Sequence, residues 1–195
     1  MNVGRNQSAL VPILHAAFSG KKVAIYNREI RDKNPMSAIL LSNTTGVTLE
    51  AGPLTVLEGD RYLGESMLAT MKAGETRLVP FSVELGCTVV VDHKSDLRAV
   101  HHARIANGVL RLARYNVRRT IYAIHSKLDA ELDLFLEHRF LRGWELVDTT
   151  KPVESTDSAY RFRMTVPPRG RLELVVSERG DHQEELSIAD VNRDK

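Results

Sequence analysis

The sequence predicts an all-β protein, an antiparallel β-sandwich built from two related strand units with few or no helices. Three observations carry this reading. Strand signals recur at short, regular intervals with turn residues between them. Leu132, Leu134 and Leu136 alternate with Asp133, Phe135 and Glu137, the period-two pattern of a strand with one buried face. One local plan also repeats: a Gly-containing polar turn, an apolar strand, a short connection and a second strand.

The first copy of that plan is Gly4-Arg-Asn-Gln-Ser-Ala-Leu-Val-Pro-Ile-Leu14, leading through Ser19-Gly20 into Lys22–Asn27. The second is Gly74-Glu-Thr-Arg-Leu-Val-Pro-Phe-Ser82, leading into Thr88–Asp92; the two share Leu-Val-Pro. A looser third copy runs from Gly170 to Ser177 and resumes at Leu186–Asp190. Proline cannot donate to a strand ladder, so Pro12 and Pro80 are expected at edges or bulges. This organisation assigns residues 1–27 to the closing strands of a preceding or truncated β unit, 28–92 to a first unit and 93–195 to a second. Ala9–Phe18, following Arg5, has a signal-peptide flavour, but Pro12 and His15 interrupt it and the closing-strand reading explains it better.

In chain order, strands are expected at Ser37–Ser42, Gly52–Leu57 and Arg61–Leu68. The middle pair is joined as a hairpin by Gly59-Asp60, residues that supply positive-φ turn positions. Val109–Ser126 is the ambiguous stretch. Leu110, Leu112, Val117, Thr120 and Ile121 favour strand over a helix that its arginine spacing would also suit. Glu131–Glu137 and Tyr160–Val166 complete the series, with Pro167-Pro168-Arg169-Gly170 as a turn.

Composition narrows the function classes. The 195 residues carry 27 Lys and Arg against 25 Asp and Glu, a net charge of +2. So small an imbalance gives no support to a nucleic-acid partner. No apolar run approaches the roughly 20 residues of a membrane-spanning helix, so membrane insertion is not expected. The single cysteine, Cys87, sits in Cys87-Thr-Val-Val-Val91 and reads as a small core residue. A lone thiol fits either compartment, so bacterial cytoplasm and cell envelope both stay open.

The local charge feature is Lys94–Arg119, where seven basic residues face Asp96 alone. Pairing across the sheet with Asp129, Glu131, Asp133 and Glu137 is preferred to a phosphate-binding patch. His93, His101 and His102 lie close together, but neighbours on a strand point to opposite faces, and no ligand spacing is completed. No metal and no cofactor are therefore expected. Ser155, Ser158 and Ser177 lack a nucleophile motif, and Asp148-Thr-Thr150 lacks the glycine of an aspartic-protease turn. No phosphate-cradling glycine loop occurs.

Several phrases together carry a family resemblance: Leu41-Ser-Asn-Thr-Thr-Gly46, Leu49-Glu-Ala-Gly-Pro-Leu-Thr-Val-Leu57, Gly59-Asp-Arg-Tyr-Leu-Gly-Glu65, Ala73-Gly-Glu75, Gly143-Trp-Glu-Leu146 and Phe162–Pro168. Across roughly residues 20–180 the chain resembles the C-terminal domain, of unknown function, found in bacterial proteins similar to mucoidy inhibitor A. The resemblance implies a β-rich module and carries no catalytic residues. The resulting expectation is a non-catalytic β-sandwich module of a larger bacterial protein. It would mediate assembly or interdomain contacts through exposed strand edges, with self-association among its options. The alternative is carbohydrate binding at Trp144, with Glu145 and Arg142 as polar contacts; a hydrolase with dispersed residues ranks below it.

Overall fold

The computed structural model describes residues 15–107 and 109–187. Among them there is no helix. Strands β1 (Ser19–Asn27), β2 (Met36–Ser42), β5 (Thr76–Val83), β8 (Leu132–Arg139), β10 (Glu154–Ser155) and β11 (Ala159–Val166) form a sheet ordered β10-β11-β8-β1-β2-β5. A second sheet is ordered β6-β7-β12-β9, from β6 (Cys87–Ala106), β7 (Val109–Ser126), β12 (Arg171–Ser187) and β9 (Trp144–Leu146). Strands β3 (Gly52–Glu58) and β4 (Arg61–Leu68) form a separate hairpin. Pairing is antiparallel except between β1 and β8, where Ala24 lies level with Leu134. Over a hundred residues separate those strands, ample for the crossover that a parallel pair needs.

The chain groups into two compact units that are discontinuous in sequence. One holds the described residues up to Lys22 together with Ala38–Phe81; the other holds Val23–Ser37 and everything from Ser82 onward. Residues 92 and 93, on either side of the expected boundary, both lie within strand β6.

In the first unit the β3–β4 hairpin forms where its sequence signal lies. Only Gly59 adopts positive φ, at 59°, while Asp60 does not. Gly64 is required by close approach, since a Cβ there would meet the Phe81 carbonyl oxygen at 2.3 Å. Pro80 lies on β5, the last strand of its sheet, the edge position where proline is tolerated. The counterpart expectation for Pro12 lies outside the described residues.

The second unit is a two-layer sandwich. Ala24, Tyr26, Leu134, Leu136, Phe162 and Val166 come from one layer, and Cys87, Val89, Tyr122, Ile124, Leu174 and Val176 from the other; together they form one buried cluster. β8 keeps the anticipated alternation, with Leu134 and Leu136 fully buried. Phe135 on the opposite face is covered by the Arg163 guanidinium, 5.2 Å from its ring centre. Residues 109–126 are strand throughout.

Two expectations are corrected here. The third repeat predicts two strands with a connection, but Arg171–Ser187 is one strand, held in unbroken register by β7 from His125 to Val109. Among the described residues, the arginines of the basic run find their acids elsewhere than on β8. Arg111, Arg114 and Arg118 meet Glu185, Glu184 and Glu178 of β12, and Arg119 meets Asp96. β8 belongs to the other sheet, where Asp133 and Glu137 are held by Arg163 and Arg161.

Candidate functional site

β6, β7 and β12 run well past the buried cluster. Among the described residues their outer ends contribute none to it, so this part of the sheet is an arm. Both arm edges are covered at the base. On β6, the Val89 N–H donates to the Lys33 carbonyl at 2.7 Å, and the Asn34 amide donates to the Cys87 carbonyl at 2.8 Å. On β12, β9 pairs with Glu178–Gly180, the Val147 N–H donates to the Ser177 carbonyl, and the Thr149 hydroxyl donates to the Val175 carbonyl. Beyond these points no described strand flanks β6 on its outer side or β12 past Gly180. Register shifts on β6 between Leu97 and His102 interrupt its edge, a common protection against unwanted pairing, and leave the tip regular from His102 to Ala106.

The tip rows have a definite chemistry. Ile105, Leu110 and Leu186 lie level across the three strands on one face, and Ile105 is 67% exposed. On the other face the row is Arg104, Arg111 and Glu185. Glu185 pairs with Arg111 at 2.7 Å, so Arg104 stands opposite a like charge with no carboxylate of its own among the described residues. The β12 tip carries Asp181, Glu184 and Glu185 and no Lys or Arg. One bare edge is thus basic and the other acidic.

A second feature lies in the sandwich. A cavity of about 650 Å³ is bordered by Arg28, His93, Arg118, Tyr122, His138 and Arg142 among others. Beneath it the Tyr122 hydroxyl is 2.7 Å from His138 Nδ1, and His138 Nε2 is 3.1 Å from Glu178 Oε2. The direction of the Tyr122–His138 hydrogen bond follows the imidazole tautomer: the hydroxyl donates to Nδ1 when the ring proton is on Nε2 and accepts when it is on Nδ1. His138 is 2% exposed and Glu178 1%. The Nε2 contact is close in distance but off the hydrogen-bond direction, and both Glu178 oxygens lack a hydrogen-bond partner. Arg118 Nη2 approaches Glu178 at 3.4 Å.

Burial, first, and the nearby Tyr26 and Glu178 push the Tyr122 phenol far above its ordinary range. The hydroxyl therefore keeps its proton in this structure. Ser155 and Ser158 are exposed, Ser177 is buried, and none is hydrogen-bonded to a histidine among the described residues. His93 is drawn into the cavity wall, its Nδ1 3.2 Å from the Thr120 hydroxyl and its Nε2 accepting from Arg28. Desolvation, then the Arg28 charge, holds its pKa below the usual 6.5. His102 is exposed, and the side chain of His101 lies outside the described residues. No group of three His, Cys, Asp or Glu side chains converges for a metal among the described residues.

The sugar-site trio is divided. Trp144 and Glu145 line a small depression of about 240 Å³ with Tyr115 and Arg179, whereas Arg142 lines the larger cavity. Trp144 is half-buried with its ring laid on Gly180, Arg179 binds Glu145, and Arg179 also lies 4.6 Å over the Tyr115 ring. One face of each aromatic is thus in use. The sequence reading named Tyr122 only as a possible stacking surface beside the basic run and did not single out His138 or Glu178. Their signal was parity: His138 continues Leu132, Leu134 and Leu136, and Glu178 continues Leu174 and Val176, each a polar residue on an apolar face. No family model, curated protein or solved structure matches the chain.

Proposed function

We propose that the chain is a non-catalytic β module that assembles by strand addition, the acidic tip of β12 in one copy pairing with the basic tip of β6 in the next. The observation that carries this is the arm with edges capped at the base, bare at the tip and opposite in charge. β6 and β12 both run outward toward the tip, so a copy displaced sideways along the sheet brings a β12 alongside β6 in parallel. In that register Glu185 of a second copy lies level with Arg104, and its Leu186 lies level with the exposed Ile105. Arg104 gains the carboxylate it lacks and Ile105 gains cover.

Such pairing is head to tail, so it yields rings or filaments according to its rotation. Few residues join at the tip, so the interface falls at the small end, below about 1,200 Å² in total, and dissociates readily. The resemblance of Leu49–Glu65 and its companion phrases to the C-terminal domain of mucoidy-inhibitor-A-like proteins is the ground for placing the module in a larger bacterial chain.

Sedimentation velocity over a concentration series tests the proposal. The wild type is expected to rise above its 21.9 kDa monomer mass as concentration approaches about 1 mM, while Arg104→Glu stays monomeric. The variant keeps its fold because the introduced carboxylate would face Arg111, yet it repels the acidic β12 edge. A wild type that stays monomeric throughout, or an Arg104→Glu protein that assembles equally well, overturns the proposal.

A further inference from the structure

We propose that the cavity above Tyr122 and His138 binds a small organic oxyanion, a carboxylate or phosphate carried on an apolar body. Four arginines and two glutamates border it: Arg28, Arg118, Arg139 and Arg142 against Glu29 and Glu137. Both acids are already engaged, Glu29 by Arg139 and Glu137 by Arg161 and Asn27. Of the remaining arginines, Arg28 has its carboxylate only at 4.0 Å, from Asp32, and Arg142 has none among the described residues. Arg118 directs one nitrogen at Glu178, but its buried Nε has no acceptor.

A guanidinium fork matches the paired oxygens of a carboxylate or phosphate, and an orphaned buried donor gains most from such an acceptor. His93 adds to this polarity, since its Nε2 accepts from Arg28 and thereby orients that guanidinium. Phe140 and Leu141 give the same cavity an apolar wall, and its volume of about 650 Å³ lies in the range of small-molecule sites. Charged head and apolar body thus have separate places.

Isothermal titration of the full chain with phenyl phosphate, benzoate and cyclohexylamine tests this. These probes compare two oxyanion heads with a cation on a body of similar size. Binding of at least one anion with Kd below about 1 mM, and none of the amine, is expected. Arg28→Gln and Arg142→Gln alter exposed side chains and leave the far-ultraviolet circular dichroism unchanged. Each is expected to weaken anion binding by about tenfold or more. No binding of either anion up to about 10 mM, or binding indifferent to both substitutions, overturns the assignment.

Discussion

Arg118→Met removes the permanent positive charge that lies beside Glu178 among the described residues. The carboxylate is 1% exposed, both its oxygens lack hydrogen bonds, and Arg118 Nη2 lies 3.4 Å away. At that distance two unit charges attract by about 5 kcal/mol when the effective dielectric constant is about 20. Arg118 is 29% exposed, so water screens part of this attraction. Stranding a buried charge typically costs about 3–5 kcal/mol, and the lower end applies here. Against a total stability of about 5–15 kcal/mol, a loss of about 3 is large; it lowers a urea midpoint by about 1–1.5 M for m near 2–3 kcal/mol/M. Replacing both partners, Arg118→Met with Glu178→Leu, removes the stranded charge along with its partner. The double variant is expected within about 1 kcal/mol of the wild type. Urea unfolding followed by circular dichroism and by emission of Trp144, the sole tryptophan, measures both, with coincident transitions as the two-state check. A single substitution costing under about 1 kcal/mol, or a double variant as unstable as the sum of the singles, refutes the coupling.

Three further outcomes follow from local environments. Below pH 6.5 the unfolded chain binds more protons than the folded one at His93, whose folded pKa is lowered by burial and by Arg28. Its contribution to stability is therefore present above pH 6.5 and lost as pH falls through the lowered folded value; an imidazole NMR titration with a midpoint at or above 6.5 contradicts this. Cys87 is fully buried and its thiol is pushed up to about 11, chiefly by desolvation. It is expected to ignore a disulfide reagent at pH 8 until urea unfolds the chain, and rapid labelling of the folded protein would refute that. Gly180→Ala places a Cβ 2.5 Å from the Trp144 ring. Trp144 sits on a short terminal strand and can lift, so the expected cost is about 1–2 kcal/mol with red-shifted emission; unchanged emission and stability would disprove the contact.

Local pattern made much of this fold legible. Alternation in Leu132–Leu136, the Gly59 turn and the β-branched content of Val109–Ser126 each specify a strand or turn without reference to distant residues. What stayed hidden depends on which strands neighbour each other. The basic residues of β7 look toward β8 in the sequence, yet the acids of Arg111, Arg114 and Arg118 come from β12, which enters the sheet much later in the chain. Gly180 and the polar residues after it resemble a connection, but an already extended β7 holds them in strand. Tyr122, His138 and Glu178 converge only because β7, β8 and β12 bring their even-numbered faces together across the sandwich, a matter of layer packing rather than local pattern. Trp144 drew attention by residue type, whereas its place on Gly180 was set by the β9–β12 pairing.

Strand addition at the arm is tested most directly by amide hydrogen exchange at low and high protein concentration. The account requires slower exchange at high concentration for amides of His102–Ala106 on β6 and Asp181–Ser187 on β12, with β7 amides, already paired on both sides, unchanged. Equal exchange at both concentrations along the two tips would contradict it.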